Sequence, residues 1–189
     1  MKPSKEQQIL RIIFKDFSNS YNSRNISQLI GVSHPGTFKI VKKIEARGIL
    51  KSKKIGQANI YSIHTENPLA IKELELALLT ETQNYKRWVE EFKALESNSE
   101  FVILFGSILK NEKEAKDIDL LVVADQAKIK EINKMVNEKQ KLSIKKIHLL
   151  LQTKSDFKHD IEKKNKVMLE IIKTGVILSG QDKFIQTIK

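Results

Sequence analysis

Apolar positions in the first fifty residues recur at helical spacing in three short bursts, each closed by polar residues or a glycine. The first comprises Ile9, Leu10, Ile12, Ile13, Phe14 and Phe17. Ser4, with Gln7 three residues on, supplies a capping-box start for that helix. The polar run SNSYNS predicts a loop, and Asn25 can cap a short helix, ISQLIG, that ends at Gly31. Ser33 caps a third helix with Pro35 in its first turn, where the missing N–H costs little. Phe38, Val41 and Ile44 form its inward face, and Gly48 stops it. Two β-prone segments follow, ILKSKK and NIYSIH; the intervening IGQA, with Gly56 at the bend, makes them a hairpin.

From Pro68 to about Ser97 the pattern predicts one long helical stretch. Ile71, Leu78, Tyr85 and Phe92 recur every seven residues, Leu74, Trp88 and Leu95 fill the offset positions, and Glu81 breaks the stripe. Such a run suits either a coiled-coil-like seam between two copies or a connecting helix packed against its own domains. Beyond the polar SNSE the pattern changes. FVILF is a continuous apolar run, as a strand buried on both faces requires, and DIDLLVVA predicts a second strand. A helix (about Gln126 to Lys141), a third strand (SIKKIHLLLQ) and a helix (about Asp156 to Lys173) come next. GVILSGQDKFIQTIK offers a short strand or turn and a last helix. Strands interleaved with helices indicate a separate α/β unit with a mixed sheet, so the whole chain is expected to be α+β.

Charge sharpens this division. Residues 1–66 carry 12 Lys/Arg against 4 Asp/Glu, a net +8, whereas residues 67–189 carry 22 against 19, a net +3. A basic third joined to a nearly balanced remainder points to a polyanion-binding module attached to something else. The longest wholly apolar runs, Phe101 to Phe105 and Leu120 to Ala124, fall far short of the roughly 18 residues a membrane span needs. The start, MKPSKEQQ, is polar, and the chain has no cysteine, hence no disulfide framework and no thiolate zinc site. A cytoplasmic protein that does not engage a membrane is expected.

Helix, helix, tight turn, helix and basic hairpin is the order of a winged helix-turn-helix, whose third helix enters the major groove of double-stranded DNA. Its outward face is expected to show His34, Thr37, Lys39, Lys42, Lys43 and Arg47, with Ser33 and the helix N-terminus at a phosphate. The hairpin adds Lys51, Lys53, Lys54 and Gln57. The run GVSHPGTFKIVKKIEARGILKSKKIGQANIYSI resembles prokaryotic winged-helix regulators of the MarR and ArsR type, with a "GVS" turn opening the recognition helix and "GIL" leading into the wing. The resemblance covers about residues 5–66 and implies DNA binding.

The second module holds FVILFGSILKNEKEAKDIDLLVVA. Asp117 and Asp119 share one face of a strand because side chains alternate, and two carboxylates about 7 Å apart along a strand are costly unless a cation joins them. Hard oxygen ligands favour Mg²⁺ or Mn²⁺ with substrate phosphates in the shell. Gly106 lets backbone approach a triphosphate, and Ser107 adds a hydroxyl where the chain is expected to turn into a helix. These residues resemble the "GS…DxD" core of minimal nucleotidyltransferases of the DNA polymerase β superfamily, over about residues 98–189. The resemblance implies transfer of a nucleoside monophosphate from metal-bound NTP to a hydroxyl, with Gly106 and Ser107 at the phosphates and Asp117 and Asp119 as catalytic metal ligands. Two departures stand out. Lys110 and Asn111 replace an Arg-Gly pair, Lys110 remaining a candidate phosphate contact. The third carboxylate, expected on the strand that here reads Lys146-Ile147-His148-Leu149, is missing, since no Asp or Glu lies between Glu138 and Asp156. Neutral imidazole is a poor Mg²⁺ ligand, so His148 reads rather as a hydrogen-bonded strand histidine.

The expectation is therefore a winged helix-turn-helix (1–66), a linker or dimerisation helix (67–97) and a minimal nucleotidyltransferase-like domain (98–189). Its function would be nucleotidylation of a protein or nucleic-acid acceptor by a DNA-bound homodimer. The alternatives are a DNA-binding transcriptional regulator with a catalytically degenerate transferase fold that senses nucleotide or mediates assembly, and an antitoxin-like component with a helical toxin-like partner.

Overall fold

The computed structural model describes residues 3–189; Met1 and Lys2, which open the polar N-terminus and the expected 1–66 domain, lie outside the described residues. The architecture is α+β, and the chain divides into two compact units, Met1–Thr80 and Glu81–Lys189. Among the described residues no helix is long and apolar enough to cross a membrane.

In the first unit α1 (Lys5–Lys15) starts on the Ser4–Gln7 capping box. α2 (Ser23–Ile30) is capped three residues before the expected Asn25: Asn22 accepts from Arg24 and Asn25 N–H, and the Asn25 side chain accepts from the Asn22 N–H. α3 (His34–Ala46) is capped by Ser33. β1 (Leu50–Ile55) and β2 (Ala58–Ile63) form an antiparallel hairpin with Ile55 opposite Ala58. Gly56, at φ 58°, supplies the left-handed residue this two-residue turn needs. Ile9, Ile13, Phe14, Ile26, Ile30, Val41, Ile44, Leu50 and Tyr61 are buried. Tyr21 joins the hairpin: its carbonyl accepts from Tyr61 N–H at 2.7 Å, and its hydroxyl donates to the buried Asp16 carboxylate. Burial and that contact push the Tyr21 phenol well above its ordinary value.

The stretch expected as one helix over 68–97 is broken. α4 (Pro68–Thr82) ends in a 3₁₀ turn at Gln83–Tyr85, and α5 (Lys86–Glu91) passes into a second at Lys93–Asn98. The Thr82 hydroxyl donates to the Ile177 carbonyl, and Gln181 donates to both, so the chain is tied down at the break. Leu74 and Leu78 are buried, as are Trp88, Phe92 and Leu95. Most of the seven-residue stripe is therefore core, with Ile71 and Tyr85 half-buried.

The second unit is a four-stranded mixed sheet in the order β5-β4-β3-β6. β3 (Phe101–Phe105) is antiparallel to β4 (Asp117–Val123) and to β6 (Val176–Ser179), while β4 and β5 (Lys146–Gln152) are parallel. One face buries Val102, Leu104, Ile118, Leu120 and Val122 against Trp88, Phe92, Leu95 and, on α6 (Ile129–Leu142), Ile132 and Val136. On the other, Phe101 packs edge-on against Phe157 of α7 (Lys154–Glu162) and Phe184 of α9 (Gln181–Ile188), with centroids at 5.1 and 5.3 Å. α7 and α8 (Lys166–Thr174) replace the single helix expected over 156–173. Lys164 takes φ 52° between them, and Asn165 caps α8 through Val167 and Met168 N–H.

Candidate functional site

Strand alternation fixes the centre of the second unit. Asp117 and Asp119 are separated by the buried Ile118 and fall on one face of β4. The antiparallel register sets Phe105 opposite Asp119, so β3 delivers the Gly106 turn directly beside that carboxylate. Gly106 adopts φ 82°, ψ −157°, and a Cβ there would stand 2.1 Å from Asp119 Oδ2. Only glycine accepts both the conformation and the contact. Ser107 follows, exposed, in a 3₁₀ turn of three residues, Ser107–Leu109. The helix expected after it is not formed, so no helix macrodipole points at this turn.

The parallel register of β4 and β5 sets Asp119 opposite His148. His148 Nδ1 lies 3.3 Å from Asp119 Oδ1 and 3.6 Å from Asp117 Oδ2, and the imidazole is about half exposed. Donor atoms of the three residues all lie within 4.8 Å of one another. The residues fit a divalent cation. Two convergent carboxylates repel unless a positive charge lies between them, and the missing Cβ at Gly106 leaves Asp119 room to turn inward. His148 is the hydrogen-bonded strand histidine expected from the sequence, and pairing across two strands makes Asp119 its partner.

Two cavities meet at the Gly106–Ser107 turn. The larger, about 740 Å³, is walled by Tyr85, Phe105, Leu109, Val167, Ile171 and Val176, with Glu81, Lys166, Glu170 and Thr174 as polar points. The smaller, about 380 Å³, runs past Asn111, Glu114, Lys116 and Asp117. Ser107 and Lys110 line both. Lys116 and Lys166 thus join Lys110 as cations at the cleft. Lys166 had no signal in the sequence, because α8 reaches the cleft only through the fold.

The first unit redistributes the expected DNA contacts. Ser33 is occupied as the α3 cap, accepting from Gly36 N–H, and His34 Nε2 lies 2.9 Å from the Ser23 hydroxyl. Thr37 does not face outward: it is fully buried, its hydroxyl 3.5 Å from the Val32 carbonyl. Phe38 does not face inward: it is 42% exposed, with Lys42 Nζ 5.9 Å from its ring centroid. The buried phase is Thr37, Val41 and Ile44, the i, i+4, i+7 stripe. Lys39 is exposed on α3, and Lys51, Lys53, Lys54 and Gln57 are exposed on the hairpin. Lys42 is paired with Glu45 at 2.7 Å, which raises the lysine's pKa and, with the Ser52 hydroxyl, lowers that of Glu45. Lys43 and Arg47 both bind Glu6 of α1, and Arg47 also binds Glu73 of α4. Both side chains remain exposed, as expected, and each is paired with an acidic neighbour.

A strand-borne carboxylate pair beside a Gly-Ser turn, on a small mixed sheet flanked by helices, defines a nucleotidyltransferase-type domain. Residues 88–184 match the family model "Polymerase beta, Nucleotidyltransferase", and with just over half of its length covered the chain belongs to that family. A comparison with curated proteins finds no match. Among solved structures the chain is similar to a mutant of Lactococcus lactis ZitR at 12% identity, over 71% of this chain and 72% of ZitR. The TM-score is 0.38, too slight a likeness to bear on fold or function.

Proposed function

We propose that the C-terminal unit transfers a nucleoside monophosphate from a metal-bound NTP to a hydroxyl of a protein or nucleic-acid acceptor, and that the N-terminal unit holds it on double-stranded DNA. The observation carrying the first half is the convergence of Asp117 and Asp119 beside a turn that tolerates no side chain at Gly106. In the transfer, the acceptor oxygen bonds to the α-phosphorus, the bond from that phosphorus to the pyrophosphate oxygen breaks, and the hydroxyl proton leaves to solvent. Asp117 and Asp119 would hold the divalent ion, whose charge stabilises the triphosphate and the departing pyrophosphate. Ser107 donates to the phosphates, and Lys110 lies along the same cleft to neutralise them. The apolar walls at Tyr85, Phe105 and Leu109 suit a nucleoside.

Incubation of the purified chain with each labelled NTP, Mg²⁺ or Mn²⁺, and cell extract tests this reading. Label passes to an acceptor with wild type and not with Asp119→Ala. NTP binding without transfer under any metal favours the alternative, a DNA-binding transcriptional regulator whose degenerate fold senses nucleotide. A co-purifying helical protein that becomes the labelled acceptor favours the antitoxin-like role. Failure to bind NTP overturns the transferase and the nucleotide-sensing readings.

The DNA-binding half is supported by Lys39 on α3 and Lys53, Lys54 and Gln57 on the wing, all exposed on the elements that would meet the groove and backbone. A homodimer is the assembly we propose. Leu69, Leu76 and Leu79 stand 49%, 53% and 41% exposed along one side of α4, where a second copy would cover them.

A further inference from the structure

The donor atoms of a divalent-ion site decide which ion it prefers. Carboxylate oxygens suit Mg²⁺ and Mn²⁺, whereas imidazole nitrogen suits first-row transition ions and is a poor partner for Mg²⁺. Here the convergent donors are two carboxylates and one imidazole. β5 offers no acidic residue at all, and its register puts His148, not a carboxylate, opposite Asp119. The spacing is also that of ligands. Neighbouring donors around an octahedral ion, each about 2.0–2.1 Å from it, lie about 3 Å apart. His148 Nδ1 stands at 3.3 and 3.6 Å from one oxygen of each aspartate. A histidine that merely steadied Asp119 by a hydrogen bond would not need to reach Asp117 as well.

We propose that His148 is a metal ligand, completing the shell begun by Asp117 and Asp119, and that this site therefore takes Mn²⁺ in preference to Mg²⁺. The inference rests on the nucleotidyltransferase reading, in which phosphate oxygens fill the remaining positions. The imidazole contributes a neutral donor where a carboxylate would bring a negative charge, so Mg²⁺ loses both charge and hardness while Mn²⁺ keeps a ligand it accepts.

The test uses Mn²⁺ with inorganic tripolyphosphate, which carries no nitrogen, on the full chain and on His148→Ala and His148→Asp, each checked for fold by circular dichroism. Electron spin-echo spectra of bound Mn²⁺ should show ¹⁴N coupling in wild type that disappears in His148→Ala. Displacement by Mg²⁺ should give a Mn²⁺ preference of at least tenfold in wild type, and His148→Asp should narrow it several-fold by tightening Mg²⁺. Mn²⁺–tripolyphosphate bound without ¹⁴N coupling overturns this inference and leaves the transferase reading standing. Equal affinity for the two ions in wild type overturns the selectivity. A folded wild type that binds Mn²⁺ with neither tripolyphosphate nor NTP overturns the inference and the transferase reading together.

Discussion

Gly106 is where a single atom matters most. Its φ of 82° is unfavourable for any L side chain, and an added Cβ would collide with Asp119 Oδ2. Gly106→Ala must either swing the carboxylate away or unwind the turn. Metal–NTP affinity should fall at least tenfold by calorimetry, about 1.4 kcal/mol, with a loss of about 1–3 kcal/mol of stability in urea. Unchanged affinity would show that Asp119 does not need this place. The need for a glycine here was readable in the sequence as close backbone approach to phosphate; its nearest neighbour was not, because the Phe105–Asp119 register is set by pairing across thirteen intervening residues. The same holds for His148, whose partner lies on another strand. On α3 the error was one of phase. Hydrophobicity singled out Phe38, but the stripe that the helix buries runs through Thr37, a small residue whose hydroxyl finds a backbone carbonyl at the turn.

At the scale of elements, capping boxes, the hairpin and the buried strands were legible because their signals are local. The break after Thr82 was not, since it depends on a carbonyl nearly a hundred residues on. α3 also carries ion pairs to neighbouring helices. Arg47 pairs with Glu6 and Glu73, and Lys43 with Glu6, all partly exposed. Such pairs contribute about 0–1 kcal/mol each after solvent screening. Arg47→Ala should therefore lower stability by about 1 kcal/mol in denaturant melts while leaving the salt dependence of DNA binding in place. A reduced salt slope with unchanged stability would place Arg47 at a DNA phosphate instead. α4 tests assembly. Leu76→Lys with Leu79→Lys changes exposed positions only, so light scattering should give a folded monomer where wild type gives a dimer. A monomeric wild type at high concentration would remove α4 as an interface.

For the whole molecule, the distribution of charge argues that two jobs are divided between two units. Residues 1–66 hold a net +8 and the remainder +3, and the exposed lysines of α3 and the wing lie far along the chain from the aspartates of β4. Each lysine that neutralises a phosphate adds about −0.9 to the slope of log affinity against log salt. Lys39→Gln, Lys53→Gln and Lys54→Gln together should make that slope shallower by about 2.7 if each contacts one phosphate. Metal–NTP binding should be untouched, since none of the three lysines borders either cavity. Asp119→Ala should show the converse, losing metal–NTP while binding duplex with the wild-type slope. Fluorescence anisotropy on a labelled duplex across a salt series reads one half, and calorimetry with metal–NTP reads the other. A triple variant that keeps the wild-type slope would place the duplex on a different surface, and one that also loses metal–NTP would show that the two activities are not separable.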